Sequence, residues 1–82
     1  MDYRTEAVML AVQLSNVAGD RDRANSWRRF NERADALLPR LRGDTSTSGQ
    51  QLERAITSAR EAYGRSDWAA LGAVRDSMLQ IR

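Results

Sequence analysis

An all-α chain of four helices, paired as two hairpins, follows from three features of these 82 residues. Apolar positions recur at spacings of three and four, the signature of one helical face meeting a core. Short breaks containing glycine, serine and aspartate interrupt that pattern at intervals suited to helices of about 15 to 22 residues. No stretch alternates apolar and polar residues as a half-buried strand would, and proline occurs once. The expected helices span residues 3–18, 21–42, 49–64 and 67–81. Together they make a four-helix arrangement with a single domain over 1–82, because so short a chain has room for one core.

The first helix carries a stripe of Tyr3, Ala7, Leu10, Leu14 and Val17. Asp2 is placed to accept from free amides of its first turn, and Gly19 to end it. A second apolar group, Val8, Met9 and Val12, lies roughly 100–200° around the same helix by the 100° per residue rule. One stripe packs a helix against its own fold; two stripes ask for two neighbours.

Asp20 or Asp22 is placed to cap the second helix, whose apolar face is Trp27, Phe30, Ala34, Leu37, Leu38 and Leu41. Pro39 cannot donate to the carbonyl of Asp35, so a kink or an early end is expected there. The segment Gly43–Gly49, GDTSTSG, is loop-like. Ser48 followed by Gln51 forms a capping-box pattern for the third helix, which buries Leu52, Ala55, Ile56, Ala59, Ala62 and Tyr63. Ser66 or Asp67 caps the fourth, with Trp68, Leu71, Val74, Met78 and Ile81 turned inward. Trp27, Phe30, Tyr63 and Trp68 are expected in the core rather than on a stacking platform for bases.

Composition removes most chemistry. Cysteine and histidine are absent and all 13 basic residues are arginine, so there is no thiolate, no Ser-His pair and no Schiff-base lysine. An ordinary zinc site lacks its ligands as well. Glu32 and Asp35 lie one turn apart but among Arg28, Arg29 and Arg33, which favours solvated ion pairs over acid–base catalysis. Asp20-Arg21-Asp22 opens like a calcium loop, yet Ala24, Asn25 and Asn31 stand where that loop needs an oxygen ligand, a glycine and a glutamate. A helix-turn-helix reading centred on Gly64 places Arg60 and Arg65 where small and apolar residues belong. The expectation is a protein that is not an enzyme and takes no cofactor or metal.

The N-terminus has no basic segment followed by a small-residue cleavage site, and the uncharged run Ala7–Gly19 is too short to span a bilayer. A cytoplasmic protein with no membrane contact is therefore expected. Net charge is only +2, but its distribution is uneven. Residues 20–42 hold seven arginines against four acids, while the rest of the chain nearly balances. Arg29, Arg33 and Arg40 fall within about 40° of one another on the second helix.

These features point to a small protein–protein interaction module (adaptor, assembly subunit or inhibitor) that associates with another protein and with itself. Val8, Met9 and Val12 would supply buried area, and Arg29, Arg33 and Arg40 charge complementarity. The alternative is a nucleic-acid-associated protein whose arginine row touches phosphates.

Overall fold

A computed structural model describes residues 3–82, so the expected cap at Asp2 lies outside the described residues. Four helices follow in order: α1 Tyr3–Ala18, α2 Arg23–Arg42, α3 Thr47–Gly64 and α4 Trp68–Leu79. No strand occurs among the described residues. The helices form a bundle 33 × 20 × 20 Å. Going round it, α1 lies between α2 and α4, and α3 closes the square between the same two; α1 also reaches α3 across the diagonal, whereas the backbones of α2 and α4 stay apart.

That placement follows from the apolar residues of each helix. α1 buries Ala7, Leu10, Ala11, Leu14 and Val17 almost completely. Ala11 was not part of the stripe expected from the sequence; its small side chain lets neighbouring helices come close on a second side. Phe30, Leu41, Leu52, Ile56, Leu71 and Met78 complete a single apolar cluster with them. Each large aliphatic side chain so enclosed contributes about 1.5–3 kcal/mol. Ile81 is buried although it lies past the end of α4, which stops two residues earlier than the spacing predicted.

The aromatic residues seal the end of the bundle where both hairpins turn. Trp27 stacks on Tyr63 at 4.0 Å and on Phe30 at 5.0 Å, and Tyr63 meets Trp68 edge-on at 5.8 Å. Phe30 is fully buried, whereas Trp27, Tyr63 and Trp68 are half-buried against the core. Arg23 lies over the Trp68 ring at 3.9 Å while its Nε donates to the Val17 carbonyl at 2.8 Å. A guanidinium held over indole in this way links α2 to α4 and α1 at once.

The turns depart from expectation in an instructive way. Gly19 follows α1, but the residue that reverses the chain is Asp20, at φ 56°. The Arg21 amide donates to the Asn16 carbonyl at 2.8 Å and the Asp20 amide to Val17 at 3.3 Å. This is a Schellman ending with an aspartate in the left-handed position. Because Arg21 completes the end of α1, α2 begins at Arg23 and not at 21. Asp22 occupies its N-cap position with φ 51°, yet its side chain makes no capping bond. Its carboxylate accepts from Asn25 Nδ2 at 2.9 Å instead.

The second hairpin repeats the device. The Asp67 amide donates to the Ala62 carbonyl and the Ser66 amide to Tyr63, each at 2.9 Å, with Ser66 at φ 53°. Asp67 then caps α4 by accepting from the Ala70 amide at 3.1 Å.

Pro39 does not end α2, which runs on to Arg42. The proline lies in the last turn, where few bonds remain to be lost, and the burial of Leu37, Leu38 and Leu41 holds that turn to the core. The capping box expected at Ser48 does not form either. α3 starts two residues earlier, with the Ser46 hydroxyl accepting from the Gly49 amide at 3.1 Å. Ser48 is drawn away by a tertiary contact, donating to the Arg82 carbonyl at 2.6 Å.

Left-handed backbone costs a non-glycine residue about 1–2 kcal/mol, against about 0.5–1 kcal/mol for the extra freedom that glycine loses on folding. Ser66→Gly is therefore expected to stabilise the fold and to raise Tm by about 2–8 °C in a thermal melt followed by circular dichroism. A lower Tm would mean that the serine side chain contributes more than its backbone strain removes.

Candidate interaction surface

With α2 on one side, α4 on the other and α3 beneath, α1 keeps one face toward solvent. The residues that reach it are set by the helical repeat. Val12 is 53% exposed and Met9 41%, while Val8 is half-buried beside them. Leu79, at the end of α4, is also 41% exposed and shares a groove with Val12 between α1 and α4. Among the described residues, Met9, Val12 and Leu79 are the large apolar side chains left exposed. Leu79 was not foreseen. The spacing of α4 assigned Met78 and Ile81 inward and left its neighbour without a role.

A second groove runs along the other side of α1, against α2. Met9 and Leu37 supply its apolar part, and Arg29, Arg33 and Arg40 all line it. The arginine row expected from helical geometry thus stands on the edge of α2 that faces α1, next to the Met9 end of the apolar ridge. Val12 lines the opposite groove and Val8 lines neither, so the six residues singled out by sequence do not form one pocket.

The groove is not uniformly positive. Glu6 on α1 holds Arg33 by an ion pair of 2.8 Å, and Glu32 on α2 also lines it. Arg29 stands 3.7 Å from Asp22, and Glu32 takes a 3.4 Å contact from Arg28; all four of these side chains are at least half exposed. Pairs so open to water contribute little, about 0–1 kcal/mol each. Asp35, expected in the same ion-pair network as Glu32, lies elsewhere: Arg60 of α3 holds it at 2.7 Å and also donates to Asn31 at 3.0 Å. The two carboxylates are therefore separated, each with its own arginine. No group of three or more acidic residues among the described residues stands close enough to hold a metal ion.

One polar atom in the groove is conspicuous. The side-chain carbonyl oxygen of Gln13 is shut off from solvent with no hydrogen-bond partner. An acceptor left without a donor costs about 1–3 kcal/mol relative to a satisfied one.

The start of α1 is held by a latch. The Tyr3 hydroxyl donates to the Asp44 carboxylate at 2.5 Å, and the Ser46 amide donates to the same carboxylate at 2.7 Å. The Tyr3 bond, followed by those from Ser46, pulls the Asp44 carboxyl down to about 2. The same bond raises the Tyr3 hydroxyl above its ordinary value, with burial adding to the effect. Arg4 completes this end by donating to the carbonyls of Leu79 and Ile81, each at 3.2 Å.

Comparisons with protein families, with curated proteins and with solved structures find no match. Among the described residues, no helix is long and apolar enough to cross a membrane.

The latch has a pH signature with a definite sign. Asp44 has a folded value below its unfolded one, so its contribution is present above about pH 4. It is lost as pH falls from there toward about 2. Tyr3 is raised, so its contribution is present below its ordinary value and lost as pH climbs past the folded one. Urea denaturation of the wild type and of Tyr3→Phe is expected to show a stability difference that is constant near neutral pH and shrinks between pH 4 and pH 2. A difference that stays the same across that acid range would rule out the latch.

Proposed function

We propose that the protein is a small, non-catalytic protein–protein interaction module, an adaptor, assembly subunit or inhibitor that acts by occupying a partner's surface. It also associates with itself through α1. The observation that carries this reading is that Met9, Val12 and Leu79, the large apolar side chains left exposed among the described residues, lie along the open side of α1 and at the end of α4 beside it. Exposed apolar groups that cluster in this way mark interfaces more often than chance. The absence of histidine, lysine and cysteine from the sequence supports the non-catalytic part, and a cysteine-free chain suits a reducing cytoplasm.

Area sets a condition on the interface. A standard interface takes about 800 Å² from each partner, roughly a sixth of the 4733 Å² that this chain exposes. The apolar ridge alone does not reach that, so the contact has to include the flanking grooves. Val8, Met9 and Val12 then form its centre, and Arg29, Arg33 and Arg40 stand at its rim. An apolar centre with a charged rim is the ordinary anatomy of such contacts.

Phosphate contact through the arginine row is the weaker reading. Arg33 is engaged by Glu6, and Glu32 places a further negative charge in the same groove. Weak and salt-insensitive retention of duplex or single-stranded probes is the expected result; steep loss of tight binding with added salt would favour phosphates instead.

Sedimentation tests the favoured reading. The wild type is expected to associate at micromolar concentration, and Val12→Glu to sediment as a folded monomer, since a charge at a half-exposed position leaves the core intact. Identical folded monomers for both proteins would overturn self-association through α1.

A further inference from the structure

We infer that the turn between α1 and α2 is a strained hinge, and that opening it lets two copies of the chain exchange their α1 helices. Each α1 then fills in the other copy the seat that it fills here in its own. This goes beyond the self-association proposed above. That reading uses the exposed side of α1, whereas exchange uses the buried side, whose occupant the structure shows.

Backbone strain places the hinge. Among the described residues, those other than glycine with positive φ are Asp20 at 56°, Asp22 at 51° and Ser66 at 53°. Two of them fall within residues 19–22, which join α1 to α2, and one in the turn between α3 and α4. The loop from α2 to α3 has none. Aspartate enters the left-handed region more readily than most residues, but its Cβ is still crowded there. Asp22 does not offset that cost by capping, since its side chain makes no capping bond. Beside Ser66, by contrast, the Asp67 side chain caps α4. A short connection under strain favours the open form, in which the same backbone relaxes.

The seat of α1 supplies the other half of the argument. Ala7, Leu10, Ala11, Leu14 and Val17 are buried in it, and α1 borders α2, α3 and α4. A chain that releases its own α1 exposes all of that apolar surface and recovers it by accepting another α1. In a two-fold pair both chains recover it at once, and the Glu6–Arg33 ion pair and the Tyr3–Asp44 bond re-form between copies. What exchange gives up lies in the turn itself. There the Arg21 amide donates to the Asn16 carbonyl and Arg23 Nε to the Val17 carbonyl, each at 2.8 Å. These bonds keep the single chain closed, so exchange follows unfolding at high concentration.

Cross-linking tests it. The probe chains carry Glu6→Cys and Arg33→Cys, in a sequence with no other cysteine. They also carry Val12→Glu, to remove association by the exposed side of α1. Each is unfolded in guanidinium, refolded at millimolar concentration and joined with a short bis-maleimide. On a denaturing gel a closed chain runs as a monomer, because its link lies within itself, and an exchanged pair runs as a covalent dimer. Asp20→Ala strains the closed turn further and is expected to raise the dimer. Asp20→Gly relaxes the turn and is expected to lower it, with roughly tenfold between the two variants. Far-UV circular dichroism checks that each variant keeps its helices. Monomer bands alone, or equal dimer from Asp20→Ala and Asp20→Gly, overturn exchange. Either result leaves association through the exposed side standing, since sedimentation of the wild type tests that separately.

Discussion

The rest of the structure depends on how α1 is enclosed. In a square of four helices it is covered by α2, by α4 and diagonally by α3, with one face left over. Ala7 and Ala11 permit close approach on two sides, and Leu10, Leu14 and Val17 fill the centre with no solvent contact. In a protein this small the core supplies only about 3–5 kcal/mol of net stability, so a helix that borders every other helix governs whether the bundle forms. The same crowding explains the leftover. Two apolar stripes cannot both be buried when the fourth side has no helix to offer, and Met9 and Val12 are what remains.

The two ends of the bundle are held by different physics. Where both hairpins turn, an aromatic stack under Arg23 excludes water, and Asp20, Asp22 and Ser66 accept left-handed backbone so that the chain reverses within a few residues. At the other end the contacts are polar: Tyr3 to Asp44, Arg4 to the last carbonyls of the α4 segment, Ser48 to Arg82. Charged and carbonyl groups carry that end because the short loop between α2 and α3 brings no large apolar side chain to cover it. The exposed apolar residues Met9 and Val12 lie between these two ends, along the middle of α1.

The arginines of residues 20–42 illustrate how tertiary structure sorts one residue type into several roles. Arg23 lies on an aromatic ring, Arg33 is held by a carboxylate of α1, and Arg28 and Arg29 are left in loose, solvated pairs. A positive surplus counted along the chain is therefore not a positive face. What reaches the surface beside α1 is a mixture of signs, which suits contact with a protein surface better than contact with a polyanion.

Periodicity alone determined that the chain is all-helical, that it has four helices, and most of the large side chains that face inward, because helical spacing is a local property of 10 to 20 residues; Trp27, Tyr63, Trp68 and Val74, expected in the core, are only half-buried against it. It also separated Val8, Met9 and Val12 from the buried stripe of α1. Helix ends were less legible. Ser48, Asp20 and Asp22 all read as caps, but a distant carbonyl took the first, the Schellman reversal used the second as its left-handed residue, and the third holds the N-cap position with its side chain turned to Asn25. Only the packing decided that α2 passes through Pro39, that Leu79 joins the exposed ridge, and that Glu6 tempers the arginine row. Each of these depends on which helix lies beside which, and neighbours in space leave no mark in the spacing of any single helix.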